Sequence, residues 1–174
     1  MKIVPIFADK LFAFHYDGEV DNEYDRLLEL WTDTEYVRAF LQENKEDIPP
    51  NYSIRQYVAF IREDAIEIDE QLIAIAESGD DQLEQFFQPL RNSEYQIRVL
   101  SSQKGRKNCL RLYAIRIDEN VFVITGGAIK LPRQHCMEDR EHTRVELRKL
   151  EKAKDFLKLN GIFDEDSFFE FLKY

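Results

Sequence analysis

The apolar positions of this chain change their period as it proceeds. Residues 2–7 (KIVPIF) and 11–16 (LFAFHY) are short runs rich in aromatic and β-branched types, separated by Ala8, Asp9 and Lys10. Two such runs around a short polar break predict a hairpin. Pro5 has no N–H to give a neighbour, which places the first run at a sheet edge. Asp17-Gly18 ends the second run in turn chemistry. From Glu23 the period lengthens. Tyr24, Leu27, Leu28 and Trp31 repeat as one helical face, and Tyr36, Val37, Phe40 and Leu41 form a second after a restart at Asp33 or Thr34. Pro49-Pro50 breaks the pattern. Ser53 followed by Gln56 reads as a capping box that opens a long helix. Tyr57, Phe60, Ile61, Ala65, Ile68 and Leu72 form its apolar face, and Ser78-Gly79-Asp80 stops it. Leu83, Phe86 and Phe87 predict a brief helix ending near Pro89.

Strand-like runs follow at 95–101, 109–117 and 121–129. In the middle run Leu110, Leu112 and Ala114 fall on one face, and Arg111, Tyr113 and Ile115 on the other. Residues 102–108 (SQKGRKN) predict a polar, basic loop, and Asp118-Glu119-Asn120 a tight hairpin connection. Gly126-Gly127 interrupts the third run, which predicts a bulge or a close approach to the backbone. After a loop from Leu131, Val145, Leu147, Leu150, Ala153, Phe156, Leu157 and Leu159 set a last long helix with Gly161 beyond its end. Phe168, Phe169 and Leu172 dock a short terminal helix. These elements give an α+β fold.

Charge adds an asymmetry to that outline. The chain is 44% hydrophobic and 33% charged, with net charge −10, so it folds around a real core and repels polyanions on average. Residues 1–90 carry net −14, whereas residues 91–154 carry net +7. An acidic half lying over a basic surface is one expectation from that contrast. Cys109 and Cys136 stand far apart without metal-ligand spacing and read as reduced thiols of a cytoplasmic protein. The N-terminal apolar run is broken too early for a signal peptide, and no segment nears the ~18 apolar residues of a membrane span. His135, Cys136, Glu138, Asp139 and His142 crowd one stretch, but their spacing matches no strong metal template. No metal and no cofactor are expected.

The basic residues of the strand region suit one chemistry. Arg98 in the first run, Lys104, Arg106 and Lys107 in the loop, Arg111 and Tyr113 in the second run and Lys130 at the end of the third could converge. RNA cleavage through the 2′-hydroxyl needs a base, an acid, and cations for the crowded phosphorane. Arginine meets that anion with a two-pronged fork, and tyrosine stacks on a base or moves a proton. A cluster of like charge is also expected to lower the pKa of any Lys or Tyr within it.

The order of segments over about 83–157 resembles the RelE/HigB-like toxin superfamily, in its phage-derived branch. The resemblance runs through Leu83-Glu84, Phe86-Phe87 and Pro89-Leu90, then Arg98, a basic loop, Leu110 to Ala114, and Val121 to Ile124 followed by Gly126 to Lys130. The helix with Leu150, Glu151, Lys152 and Ala153 is similar to the family's closing helix. It implies a small antiparallel sheet with flanking helices at 81–160, preceded by an acidic hairpin and helical extension at 1–80 and followed by a terminal helix at 161–174, all one domain over 1–174. It also implies a metal-independent endoribonuclease acting on mRNA, with RNA, the ribosome and a cognate antitoxin as partners. Lys104 or Arg106 would face phosphate, Arg111 would serve the transition state, Tyr113 would stack or assist, and Lys130 would supply the third strand's cation. The alternative is a catalytically silent member of that fold, acting as a nucleic-acid- or protein-binding regulatory module. Members of that family are shorter and basic throughout, whereas this chain is acidic with a long N-terminal portion. Oligomeric state is not legible.

Overall fold

A computed structural model describes residues 1–79, 83–90 and 100–174. The N-terminal hairpin forms from β1 (Lys2–Phe7) and β2 (Leu11–His15), paired antiparallel. Pro5 lies in the edge strand, where its missing N–H costs no ladder bond. Two short helices follow, α1 (Glu23–Thr32) and α2 (Thr34–Glu43). Asp33 serves both: its N–H closes α1, and its carboxylate accepts from the N–H groups of Glu35 and Tyr36 to open α2. The long α3 (Ile54–Ser78) begins with the expected reciprocal cap. Ser53 Oγ accepts from Gln56 N at 3.1 Å, and Gln56 Oε1 accepts from Ser53 N at 2.8 Å.

A single helical turn, α4 (Leu83–Phe86), and the two-residue β3 (Gln88–Pro89) precede the main strands. These are β4 (Ser101–Lys107), β5 (Leu110–Asp118) and β6 (Val121–Ile129). The chain ends with α5 (Glu141–Leu159) and α6 (Glu165–Leu172). The described strands form a six-stranded sheet in the order β1-β2-β6-β5-β4-β3.

Three expectations are corrected. The described strands of 81–160 pair antiparallel, but the N-terminal hairpin joins them in one mixed sheet, because β2 runs parallel to β6 over Leu11–Ala13 and Phe122–Ile124. Parallel neighbours need a long crossover, and the helical stretch between β2 and β6 supplies it. Residues 102–107 of the expected loop are strand, and only Asn108 stays in a turn. The strand's buried positions are the polar Ser101, Ser102 and Gln103, so it lacks an apolar rhythm. At Gly105 the Phe86 ring occupies the space of a side chain; a Cβ there would sit 2.0 Å from it. Val145 and Leu159, assigned by period to the apolar face of α5, are exposed at 39% and 87%. The strand expected at 95–101 lies outside the described residues up to residue 99.

The sheet carries helices on both faces. Leu110, Leu112 and Ala114 of β5 pack with α1, α2 and α3 on one side. Ile115 and Ile117 pack with Ala153, Leu157 and Phe168 of α5 and α6 on the other. The alternation expected for β5 is therefore observed. The irregularity expected in β6 is also present: Tyr113 pairs with Gly126 and Ala114 with Ile124, leaving Thr125 as the extra residue. The two glycines admit opposite layers. A Cβ on Gly126 would meet Glu146 of α5 at 1.9 Å, and one on Gly127 would meet Leu27 and Trp31 of α1 below 3 Å. Among the described residues no helix is long and apolar enough to cross a membrane.

Candidate anion-binding site

Strand register decides which basic side chains meet. Lys104 pairs across β4 and β5 with Tyr113, and Arg106 with Arg111. Partners in a ladder share a face, so these four lie on the α5 side of the sheet, near its β4–β5 turn. Arg111 pairs in turn with Ala128 of β6, and Lys130 follows just beyond. Alternation sends Lys107 to the opposite face, where its ammonium meets Glu67 of α3 at 2.6 Å. Arg98 lies outside the described residues.

Lys104, Arg111, Tyr113 and Lys130 line one cavity of about 230 Å³, together with His135 and Glu138 of the loop before α5. Arg106 stands exposed beside it. The Arg111 guanidinium donates to the carbonyls of Asn108 and Leu110. The Lys130 ammonium donates to the His135 carbonyl at 2.9 Å. These acceptors fix the two cations in place without cancelling their charge. No described carboxylate forms an ion pair with Lys104, Arg106, Arg111 or Lys130, although Glu138 contributes a carboxylate to the cavity wall.

The electrostatics follow from this crowding. Burial, then Arg111, Lys130 and Arg106, hold the Lys104 ammonium below the ordinary lysine range. Burial also lowers Arg111, and Arg106 adds to it. Tyr113 departs from the expectation of a lowered pKa. Its side chain is 1% exposed, and burial, with help from Glu146, raises it against the pull of Arg111. The phenol therefore stays protonated. Its hydroxyl is buried and has no hydrogen-bond partner. A buried polar group without a partner is uncommon; this one belongs to a side chain of the cavity wall.

The His/Cys/carboxylate stretch beside the cavity is structural. Asp139 accepts from the backbone N–H of His135 and Cys136 and from the Cys136 thiol, bonds that pull its carboxyl down to about 2. His142 turns away to the Ile129 carbonyl at 2.9 Å. Among the described residues no three His, Cys, Asp or Glu side chains are grouped to hold a metal. Both cysteines are free, and burial pushes the Cys109 thiol up to about 11.

The sequence reading missed the other half of the site. A second cavity of about 550 Å³ adjoins the first and shares Arg111 and Lys130 with it. Tyr52, Tyr57, Phe60 and Gln134 contribute to its wall. Phe60 had a signal: it widens the apolar stripe of α3 beyond the line of Ile61, Ala65, Ile68 and Leu72. Gln134 and Tyr52 had none.

Comparison with family models, curated proteins and solved structures finds no match for this chain. That finding overturns the description of the chain as a toxin–antitoxin protein of RelE or HigB type. The order of short segments is too weak a signature to carry it. What the fold defines is an α+β protein with a mixed sheet between helical layers. The RNA, ribosome and antitoxin partners have no support beyond the resemblance.

Proposed function

We propose that this protein binds a phosphate-bearing anion in the cavity between β4, β5 and the loop before α5. The observation that carries the reading is the convergence of Lys104, Arg111 and Lys130, without carboxylate partners of their own, on a hollow whose wall also includes Tyr113. Three cations complement an oxyanion. Charge-assisted hydrogen bonds of this kind are stronger than neutral ones.

Binding is better supported than catalysis. Tyr113 is held as a donor and does not serve as a base. The exposed His135 ring is the nearest imidazole, and no described group orients it, whereas a catalytic base is normally positioned by a third residue. A cytoplasmic setting belongs to the same reading, since a reducing compartment maintains free thiols such as Cys109 and Cys136.

Calorimetric titration with inorganic pyrophosphate tests this. The full chain should bind it, and affinity should fall with ionic strength. Lys104→Ala and Lys130→Ala should each weaken binding roughly tenfold, the order expected for one hydrogen bond to a charged group. Lys107→Ala, on the other face, should leave it unchanged. Binding that survives both cavity substitutions would sink the reading.

A further inference from the structure

The larger of the two cavities lies unused by anion binding alone. Its volume of about 550 Å³ falls within the roughly 300–1,000 Å³ of small-molecule sites. Tyr52 and Phe60, each 42% exposed, stand on its wall with ring centroids 6.0 Å apart. Aromatic surface at a cavity mouth, next to fixed cations, is an arrangement on which planar bases stack.

Two acceptors lie on the same wall. Gln134 is 4% exposed, and its Nε2 donates to the Cys136 carbonyl at 3.0 Å and to Thr143 Oγ1 at 2.8 Å. A carbonyl only accepts, so this contact settles which end of the amide is nitrogen. The Oε1 is left buried with no partner. Asp64, 6% exposed, accepts from Asn108 Nδ2 through Oδ1 at 2.9 Å. The cavity wall thus combines aromatic faces, the Asp64 carboxylate and, in Gln134, an amide oxygen without an N–H donor, while its shared wall with the anion pocket presents Arg111 and Lys130.

We propose that the larger cavity receives an amino-bearing nucleobase whose phosphate lies in the adjoining anion pocket, so that the two cavities together hold a mononucleotide. This rests on the anion-binding reading and extends it to a ligand class. The base stacks on one of the Tyr52 and Phe60 rings and meets the other edge-on, since the two rings stand 74° apart, and its exocyclic amino group satisfies Gln134 Oε1. A single nucleotide fits better than a strand. Glu63 of α3 acts on Asp64 from alongside the aromatic cavity, and the chain is net −10, so further phosphates meet repulsion.

Calorimetry on the full chain with AMP, GMP, CMP, UMP and ribose 5-phosphate tests the assignment. At least one of AMP, GMP and CMP should bind about tenfold or more tighter than ribose 5-phosphate, the order of one base stacked on an aromatic ring. UMP should bind more weakly than that nucleotide. Phe60→Ala and Tyr52→Ala change exposed rings; each should shrink the nucleotide's advantage while leaving ribose 5-phosphate affinity unchanged. Equal affinity for ribose 5-phosphate and every nucleotide overturns the base assignment and spares the anion site. Absence of binding by any of them, with pyrophosphate also inert, overturns both. Tightest binding by UMP overturns the amino-group requirement. A hexanucleotide binding more than about tenfold tighter than any mononucleotide overturns the single-nucleotide assignment.

Discussion

Two charged regions border α5, and they treat their cations in opposite ways. Beside Gly126, Lys149 of α5 donates to Glu23 of α1 at 2.7 Å and lies 3.3 Å from Glu146 Oε2. Arg26 forks onto both oxygens of Glu23 at 2.8 and 2.9 Å. The Lys149 ammonium also lies 5.0 Å from the centre of the Tyr16 ring. Glu23 and Glu146 are 1% and 8% exposed, so two buried carboxylates face two cations here, although Glu146 Oε2 has no hydrogen bond. Beside Tyr113, Lys104, Arg111 and Lys130 converge with carbonyls as their described partners or with none. Lys149 and the three unmatched cations all belong to the segment with net +7. Net charge therefore says little about which cations are available; partner geometry does. The acidic half neutralises part of the basic segment, through Glu67 to Lys107, Glu84 to Arg116, Asp47 to Arg140 and Glu23 to Lys149. It leaves the cavity cluster without such pairs. The cover expected from the charge contrast is thus partial.

The network around Lys149 should show the largest response to substitution. Lys149→Met keeps apolar bulk but strips buried Glu146 of its ion-pair partner and Glu23 of one of two, so urea denaturation should report a loss of about 3 kcal/mol, the lower part of the range for breaking a buried ion pair. A loss below about 1 kcal/mol, the ordinary limit for an exposed pair, would erase the distinction between the two regions.

Acidity sharpens the same contrast. Burial, with Glu23 beside it, raises the Glu146 carboxyl above its ordinary range, and Lys149 opposes this only in part. The folded state therefore holds this proton more tightly than the unfolded chain does. The resulting stabilisation is full below the unfolded pKa and is lost as pH rises through the folded one. Glu146→Gln stays neutral throughout, so its stability should decline less between acid and neutral pH than that of the wild type. Parallel pH profiles for the two proteins would remove Glu146 from the account.

The smallest effects on stability belong to the unmatched cations. Lys104→Ala removes a charge that faces Arg111, Lys130 and Arg106. It should leave stability unchanged or raise it by up to about 0.5 kcal/mol, the scale of partly solvated charge interactions. Pyrophosphate at ten times its Kd should stabilise the wild type by about 1.4 kcal/mol and the variant by less at the same concentration. A destabilised Lys104→Ala protein in ligand-free buffer would show that this lysine serves the fold rather than a ligand.

Much of the local structure was legible before any coordinates. The hairpin around Ala8 and Asp9, the Ser53–Gln56 cap, the split of β5 into Leu110, Leu112, Ala114 and Arg111, Tyr113, Ile115, and the close approach at Gly126-Gly127 all follow from neighbours in sequence. The polar strand β4 was not legible, because its burial comes from Phe86 and from polar groups rather than from an apolar rhythm. Tyr113 misled for a related reason: a phenol among cations should ionise more readily, but the packing around it outweighs that field.

By itself the sequence determined the element types, their caps and the face to which each strand residue belongs. Those properties depend on backbone geometry and side-chain period over a few residues. Only the tertiary structure decided that β2 joins β6 in parallel. It alone decided that β4 register brings Lys104 to Tyr113 while sending Lys107 to Glu67, and that Tyr52, Phe60 and Gln134 stand beside Arg111 and Lys130. Each of these depends on which distant surfaces bury one another, and no local period encodes that choice.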